Sequence, residues 1–207
     1  MTTTASVSLR PATASDALDI AHLFQMSSDG VADYVWQGLA ETREYAGLEL
    51  VEVGARRYAR ENTEFSFQNC TLAKRGDATV GMLHAWGMWS DPDATAANRA
   101  ADELGEDIDP VLAPYAVLEL VPSLYVSGVA VKPAARGQGI GTRLLTAARR
   151  QARDLGLPAV SLIVFEQNTG AAALYARLGY REIMRRPIVP HPLIHFTGDA
   201  VLLALDI

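Results

Sequence analysis

The sequence predicts a single domain of mixed α/β class, built on a sheet of about seven strands. The segment from 124 to 165 is predicted to be a strand, a helix and a strand, because two apolar runs enclose a stretch whose apolar residues have helical spacing. The segment from 67 to 89 reads as an antiparallel hairpin, because two β-prone runs flank the compact turn Arg75-Gly76-Asp77. A length of 207 residues suits one such domain, so we expect its bounds at 1–207.

The elements before the hairpin follow from the spacing of apolar residues. Residues 7–10 predict a short first strand, and residues 13–16 offer the hydroxyl and carboxylate groups that begin a helix. A second helical region runs from about 34 to 61 and breaks near Gly47, while Gly54 weakens its latter part. The strands predicted over the whole chain are 7–10, 67–73, 79–89, 124–131, 159–165, 180–185 and 200–205.

An acidic segment interrupts this alternation of strands and helices. Residues 90–119 carry eight carboxylates and three prolines, and we interpret them as a partly helical insertion. The chain then resumes with the strand–helix–strand unit, whose helix covers 139–155. A short helix at 171–178 follows, and Gly179 closes it because glycine adopts the left-handed conformation without strain.

The composition excludes several classes of function. A formal net charge of −6 disfavours nucleic acid and anionic membranes as partners, because both need a basic surface. Cys70 is the sole cysteine, so neither an intrachain disulfide nor a multi-cysteine zinc site can form, and we expect no metal. No basic segment followed by an apolar run begins the sequence, and no stretch approaches the roughly 18 apolar residues of a spanning helix. We therefore expect a cytoplasmic protein.

A glycine-rich turn joins the first strand of the strand–helix–strand unit to its helix. It reads Arg136-Gly137-Gln138-Gly139-Ile140-Gly141. Glycines here let the backbone approach a ligand closely, and the first unpaired N–H groups of a helix favour an anion. Arg136 adds a permanent positive charge, which favours a phosphate-bearing ligand. The alternative is an ordinary glycine-rich turn whose arginine only faces solvent.

Two common phosphate-binding motifs do not fit this turn. A dinucleotide fingerprint needs a glycine at its sixth position, and counting from Gly137 or from Gly139 places none there. A P-loop ends in Gly-Lys followed by Ser or Thr, whereas this turn ends Gly141-Thr142-Arg143. A nicotinamide oxidoreductase and a nucleoside-triphosphate hydrolase are therefore disfavoured.

Two ordered motifs resemble those of a known family. The glycine-rich turn, after a strand ending Val129-Ala130-Val131, resembles the acyl-CoA-binding signature of the GNAT superfamily of N-acetyltransferases, Gln/Arg-x-x-Gly-x-Gly/Ala. The stretch from Asn168 to Tyr180 is similar to the superfamily's later motif, Asn-x-x-Ala-x-x-Leu-Tyr-x-x-x-Gly-Phe/Tyr. The match covers roughly 125–180. It implies a GNAT fold, a largely antiparallel twisted sheet in which two splayed parallel strands form the cleft for CoA.

The resemblance implies acetyl-CoA as the acyl donor and assigns residues to it. The diphosphate is expected on the amides from Gly137 to Thr142, and the pantetheine arm on the backbone of Val129 and Val131. Tyr175 stands where the family commonly supplies the acid for the leaving thiolate, with simple packing as the alternative. Asn168 is carried over as a cofactor-side or helix-capping group. The predicted cofactor-binding residues are Val129, Ala130, Val131, Arg136, Gly137, Gln138, Gly139, Ile140, Gly141, Thr142, Asn168 and Tyr175, and the predicted catalytic residues are Tyr175 and Glu119.

The general base and the oxyanion donor are assigned separately. A lysine-like amine with a pKa of about 10.4 is mostly protonated at neutral pH and needs a base. The alternating face of the strand that holds Tyr125 and Ser127 carries no acid, so we select Glu119 just before it. His84 is a second candidate, with a hydrogen-bonded structural role as its alternative, and a water relay without a single base is also open. The backbone N–H of Val129 is the expected oxyanion donor.

The predicted function is transfer of an acetyl group from acetyl-CoA to a primary amine of a small molecule or of a protein or peptide. The alternative is a catalytically silent acyl-CoA-binding module that acts as a regulator or sensor. The acidic segment suggests a cationic acceptor, although acidic loops also keep proteins soluble. The segment from 185 to 191 either reaches back over the site or meets a second subunit in a homodimer.

Overall fold

The computed structural model describes residues 6–89 and 109–207. These residues form the mixed α/β fold that the sequence predicts. The strands are β1 (Val7–Pro11), β2 (Cys70–Arg75), β3 (Ala78–Met88), β4 (Ser123–Val131), β5 (Ala159–Phe165), β6 (Arg181–Pro187) and β7 (Asp199–Asp206). The α-helices are α1 (Ala17–Ser27), α2 (Val31–Ala40), α3 (Leu50–Tyr58), α4 (Ala113–Ala116), α5 (Ile140–Asp154) and α6 (Thr169–Arg177).

The strands form one sheet in the order β1-β2-β3-β4-β5-β7-β6. β4 and β5 are parallel, and their pairing joins Leu124–Val126 to Val160–Leu162. The pairs β1–β2, β2–β3, β5–β7 and β6–β7 are antiparallel. α5 forms the connection between the two parallel strands, which confirms the predicted strand–helix–strand unit. The predicted sheet of seven largely antiparallel strands is likewise confirmed.

The chain packs as two compact units. One comprises Met1–Trp86 and Gly128–Ala147, and the other comprises Gly87–Ser127 and Ala148–Ile207. The first unit contains α1, α2, α3 and the glycine-rich turn, and the second contains α4, β5, α6, β6 and β7. The single domain of 1–207 stays a prediction.

The helical region predicted at 34–61 consists of two helices. α2 begins three residues earlier than predicted, at Val31, and α3 ends at Tyr58. Residues 41–49 connect them, and the predicted break at Gly47 lies in this connection with φ of +81°. The backbone N–H of Glu49 donates to the Glu52 carboxylate at 2.9 Å, which begins α3.

Gly54 lies inside α3 because that helix packs directly on α2. A Cβ at Gly54 would overlap the indole ring of Trp36, whose side chain is fully buried. Val53 and Tyr58 of the same helix are also fully buried in this core. The glycine that weakens helix propensity therefore permits a close contact between the helices.

The hairpin of the first unit is confirmed with one shift. β2 starts at Cys70 rather than at 67, because Phe67–Asn69 form a 3₁₀ turn. The Ser66 hydroxyl oxygen accepts a hydrogen bond from the backbone N–H of Gln68 at 3.1 Å and fixes that turn. The predicted turn Arg75-Gly76-Asp77 joins β2 to β3, and its glycine has a φ of +58°.

The last two predicted strands are confirmed in the second unit, each slightly longer than predicted. β7 lies between β5 and β6, and β6 forms an edge of the sheet. Most of β6 is exposed, and charged residues such as Arg181 and Arg186 line it. Of the predicted acidic insertion, residues 90–108 lie outside the described residues, and 109–119 contain α4.

Candidate active site

The glycine-rich turn leaves β4 and enters α5 within the first unit. The backbone N–H of Lys132 donates to the Val80 carbonyl on β3 at 2.9 Å, so the start of the turn is held to the sheet. Gly137 and Gly139 have φ of +73° and +74°, a region in which other residues are strained. A Cβ built on either glycine would have no described protein atom within 4 Å. The backbone is therefore open to a ligand on this side.

The amides of this turn are available as donors. Among the hydrogen bonds of the described residues, none starts from a backbone N–H between Gly137 and Thr142. The first backbone N–H of α5 with a partner is that of Arg143, which donates to the Gly139 carbonyl at 3.0 Å. Successive unpaired N–H groups at the start of a fifteen-residue helix form an anion-binding concavity.

Two polar side chains stabilise the turn. Arg136 Nε donates to the Val131 carbonyl at 3.1 Å, and the Arg136 side chain is exposed. Gln138 Nε2 donates to the Ala134 carbonyl at 3.4 Å. Gln138 Oε1 accepts a hydrogen bond from the guanidinium of Arg75, on the hairpin. The turn is thus tied both to β4 and to the β2–β3 hairpin.

The first turn of α5 lies close to β3. A Cβ at Gly81 would be 2.8 Å from the Ala130 carbonyl and 3.4 Å from the side chains of Ile140 and Leu144. Only glycine permits this approach. α5 has one buried stripe, formed by Ile140, Leu144, Ala148 and Ala152.

β4, the strand before the turn, has alternating buried and half-buried residues. The pairing of β4 with β5 involves Leu124–Val126, and β4 continues to Val131. Val129 and Val131 are half-buried on one face, while Ala130 is buried on the other. The three residues predicted to contact the donor therefore belong to one regular strand.

Asn168 caps α6 in the second unit. Its Oδ1 accepts from the backbone N–H of Ala171 at 3.2 Å, and its carbonyl accepts from the N–H of Ala172 at 3.0 Å. The capping role considered for this residue is therefore observed, and a cofactor-side role stays a prediction.

Tyr175 is half-buried on α6. Its ring centroid lies 5.7 Å from that of Tyr180, with the ring planes at 58°. The backbone N–H of Tyr180 donates to the Tyr175 carbonyl at 3.1 Å, and Gly179 closes the helix with φ of +91°, as predicted. Burial raises the pKa of Tyr180, whose hydroxyl has no hydrogen-bond partner among the described residues.

The two candidate bases lie in different environments. Glu119 is half-buried, beside the fully buried Leu118, on the segment between α4 and β4. His84 is fully buried on β3. Its Nε2 is 3.0 Å from the Glu64 carbonyl and must be the donor, because a carbonyl can only accept. In the neutral imidazole the other nitrogen, Nδ1, then accepts a hydrogen bond from the Tyr58 hydroxyl at 3.1 Å.

His84 has the structural role considered for it. The rings of Phe24, Tyr58, Phe65 and Trp86 surround it with centroid distances between 5.0 and 5.7 Å. Burial lowers its pKa to about 4, so the imidazole is neutral and only weakly basic at pH 7. Most of this aromatic surrounding could not be predicted from the sequence, because Phe24 lies on α1, Tyr58 on α3 and Phe65 between α3 and β2, all distant in sequence from His84.

Lowering the pH from 7 to 5 is expected to reduce the free energy of unfolding by about 2 kcal/mol through His84. The folded-state pKa of about 4 is below the ordinary value of 6.5, so only the unfolded chain gains a proton in this window. The contribution of His84 to the free energy of unfolding is complete above pH 6.5 and is lost as the pH falls towards 4. Urea unfolding at pH 7 and pH 5 measures this change in the free energy of unfolding. In His84→Gln the change between the two pH values should be smaller by about 2 kcal/mol. An identical pH dependence in that variant would contradict the assignment.

Neither a metal-binding cluster nor a membrane-spanning helix occurs in the described residues. No group of three or more His, Cys, Asp or Glu side chains is arranged there to hold a metal ion. None of the helices in 6–89 and 109–207 combines the length and the apolar character needed to cross a membrane.

Residues 39–180 match the family model described as the Acetyltransferase (GNAT) family. The match covers more than half of the chain, and it includes β4, the glycine-rich turn, α5 and α6. The chain belongs to this family.

Two curated relatives and one solved structure show the same likeness. A mycothiol acetyltransferase from Parafrankia sp. (strain EAN1pec) is 46% identical over 61 residues, which are 30% of this chain and 18% of that protein. A thialysine N-epsilon-acetyltransferase from Sus scrofa is 36% identical over 61 residues, which are 30% of this chain and 36% of that protein. The structure of a polyamine N acetyltransferase from Drosophila melanogaster aligns with a TM-score of 0.69 at 18% identity, over 98% of this chain and 100% of that chain.

These likenesses differ in what they establish. The chain spans well under two thirds of the length of either curated relative. The likeness to the solved structure, at 18% identity, shows a shared fold.

Proposed function

We propose that this protein is an acyl-CoA-dependent N-acetyltransferase that transfers the acetyl group of acetyl-CoA to a primary amine of a small molecule or peptide. The observation that carries the proposal is the run of unpaired amides from Gly137 to Thr142 at the start of α5. Family membership supports acetyl-CoA as the donor. A diphosphate fits this run because its oxygens can accept several of these N–H groups at once.

The donor is expected to lie along β4 and the turn. The diphosphate binds the amides from Gly137 to Thr142 beside the exposed Arg136, and the pantetheine arm pairs with the backbone of Val129 and Val131. The half-buried faces of these two valines and the regular strand through Ala130 support this arrangement. Gln138 and Ile140 contribute their backbone N–H groups, and Asn168 either contacts the donor or only caps α6.

The chemistry requires three groups around the thioester. The amine nitrogen attacks the thioester carbonyl, the C–N bond forms and the C–S bond breaks. The backbone N–H of Val129 stabilises the oxyanion, and Tyr175 gives its proton to the departing thiolate. Glu119, directly or through a water, takes the proton that the amine loses. The products are an amide and the free thiol of CoA.

The acceptor is proposed to be a small amine, with a cationic amine as the first choice. The names of both curated relatives describe acetyltransferases, and thialysine is itself an amine. The acidic composition of 90–119 favours a cation, although most of this segment lies outside the described residues. We further propose a cytoplasmic location, where acetyl-CoA is available, without nucleic acid as a partner. A homodimer stays an open prediction.

The test is release of CoA thiol from acetyl-CoA across a panel of amines, polyamines and lysine peptides. Mass spectrometry of the co-purified ligand comes first, because it identifies the acyl donor without assuming an acceptor. Turnover with an amine and acetylated product of the expected mass support the proposal. Tight binding of acetyl-CoA without turnover on any amine favours the silent sensor module, and absence of acyl-CoA binding excludes both.

A further inference from the structure

Arg75 ends β2 at the tip of the hairpin and faces the glycine-rich turn. It pairs with Ala78 across the hairpin turn and with Val7 of β1, so its backbone is fixed on both sides. Its guanidinium NH2 donates to Gln138 Oε1, in the middle of the turn. Arg75 thus contacts the side chain of a residue 63 positions away in the sequence, and that residue lies within the run of unpaired amides.

The same corner of the sheet holds the first turn of α5. Arg143 NH1 donates to the Val7 carbonyl at 2.7 Å, and Val7 is the residue that pairs with Arg75. Arg75, Val7, Arg143 and Gln138 therefore form a continuous set of contacts from the hairpin to the helix. This arrangement holds the Arg75 guanidinium against the side chain of Gln138, within the glycine-rich turn.

The charge of Arg75 is not neutralised by a carboxylate. Its hydrogen bond goes to the neutral amide of Gln138, and none of the ion pairs of the described residues involves it. Its Nε is enclosed and has no hydrogen-bond partner in 6–89 or 109–207. The guanidinium is thus a cation without an anionic partner among these residues, and a phosphate group would supply one.

We propose that Arg75 is a donor-binding residue supplied by the hairpin, which contacts a phosphate group of the CoA-type donor and positions Gln138 beside it. This assignment rests on the proposed function, because it requires a phosphate-bearing donor at the turn. The guanidinium fork suits phosphate oxygens, and one of its donors remains engaged with Gln138. No part of the two sequence motifs includes this residue.

The test compares donors with and without phosphates in the intact protein. Arg75→Gln should weaken CoA binding by about tenfold in calorimetry, the effect of losing one charge-assisted hydrogen bond. Arg75→Lys keeps the charge and should recover part of this loss. With S-acetylpantetheine, which carries no phosphate, the KM of Arg75→Gln should equal that of the wild type. Lys74→Gln is the matched control, because Lys74 lies on the same strand and donates to Thr79 at 2.9 Å instead.

Dephospho-CoA identifies the phosphate. An equal loss with CoA and dephospho-CoA assigns Arg75 to the diphosphate, and a loss confined to CoA assigns it to the 3′-phosphate; either supports the proposal. Unchanged CoA affinity in Arg75→Gln, or an equal loss with S-acetylpantetheine, overturns it while the proposed function stands. A wild-type protein that binds no CoA overturns both.

Discussion

Gly139→Glu is expected to weaken acetyl-CoA binding by about a hundredfold or more, the equivalent of losing two charge-assisted hydrogen bonds. The backbone at this position has φ of +74° in the middle of the unpaired amides. A Cβ there meets no described atom within 4 Å, so the new side chain does not disrupt the protein core. It does place a negative charge where the diphosphate is expected. Calorimetry with acetyl-CoA measures the loss.

Two further variants separate charge from strain. Gly139→Ala introduces the strain of a left-handed residue, of the order of 1 kcal/mol, without the charge, and should bind more tightly than the glutamate variant. Gly156→Glu is a matched control, because Gly156 also has a positive φ, of +69°, and an equally open Cβ position after α5. It should bind acetyl-CoA as the wild type does. Wild-type affinity in a folded Gly139→Glu protein would remove the turn from the donor site.

The sequence predicts strands well where a buried strand has a continuous apolar pattern. β5 occurs at the predicted residues 159–165, because nearly all of its side chains are buried in the sheet. The start of β2 was predicted three residues early, since Phe67 continues the β-prone pattern while Ser66 fixes a 3₁₀ turn there. Local side-chain hydrogen bonds of this kind compete with strand formation and are not visible in apolar spacing.

Two glycines in the helical region 34–61 have different structural roles. The predicted break at Gly47 lies in the connection between α2 and α3, where this glycine has a positive φ. Gly54 lowers the predicted helix propensity, yet it lies in α3 against the buried ring of Trp36. Propensity treats both glycines alike, and only tertiary packing distinguishes them.

The part of the candidate site that is continuous in the sequence could be predicted, whereas the contacts between distant residues could not. The turn from Arg136 to Gly141 is continuous in sequence, so the openness of its backbone could be predicted from the glycines themselves. The contact of Arg75 with Gln138 joins residues 63 positions apart, and the predicted hairpin turn Arg75-Gly76-Asp77 does not indicate it. The neutral, enclosed state of His84 likewise depends on rings from separate elements.

Tyr175→Phe is expected to reduce kcat for acetyl transfer by about a hundredfold to a thousandfold, the usual contribution of a positioned general acid. The ring of Tyr175 packs 5.7 Å from that of Tyr180 on a half-buried face, and phenylalanine preserves this packing. Only the hydroxyl is lost, so the KM for acetyl-CoA and the thermal stability should change little. Steady-state kinetics with the best amine of the panel measures the effect.

Tyr180→Phe is the matched control for this prediction. Tyr180 lies five positions later, its ring faces Tyr175, and its buried hydroxyl has no partner among the described residues. Removing that hydroxyl eliminates a buried unpaired group, so the variant should be at least as stable as the wild type and should keep its kcat. A pH profile adds a second measurement, because loss of an acid removes the alkaline decline of kcat that loss of packing leaves in place. Wild-type kcat in Tyr175→Phe, or equal losses in both variants, would show that the leaving thiolate receives its proton from another group.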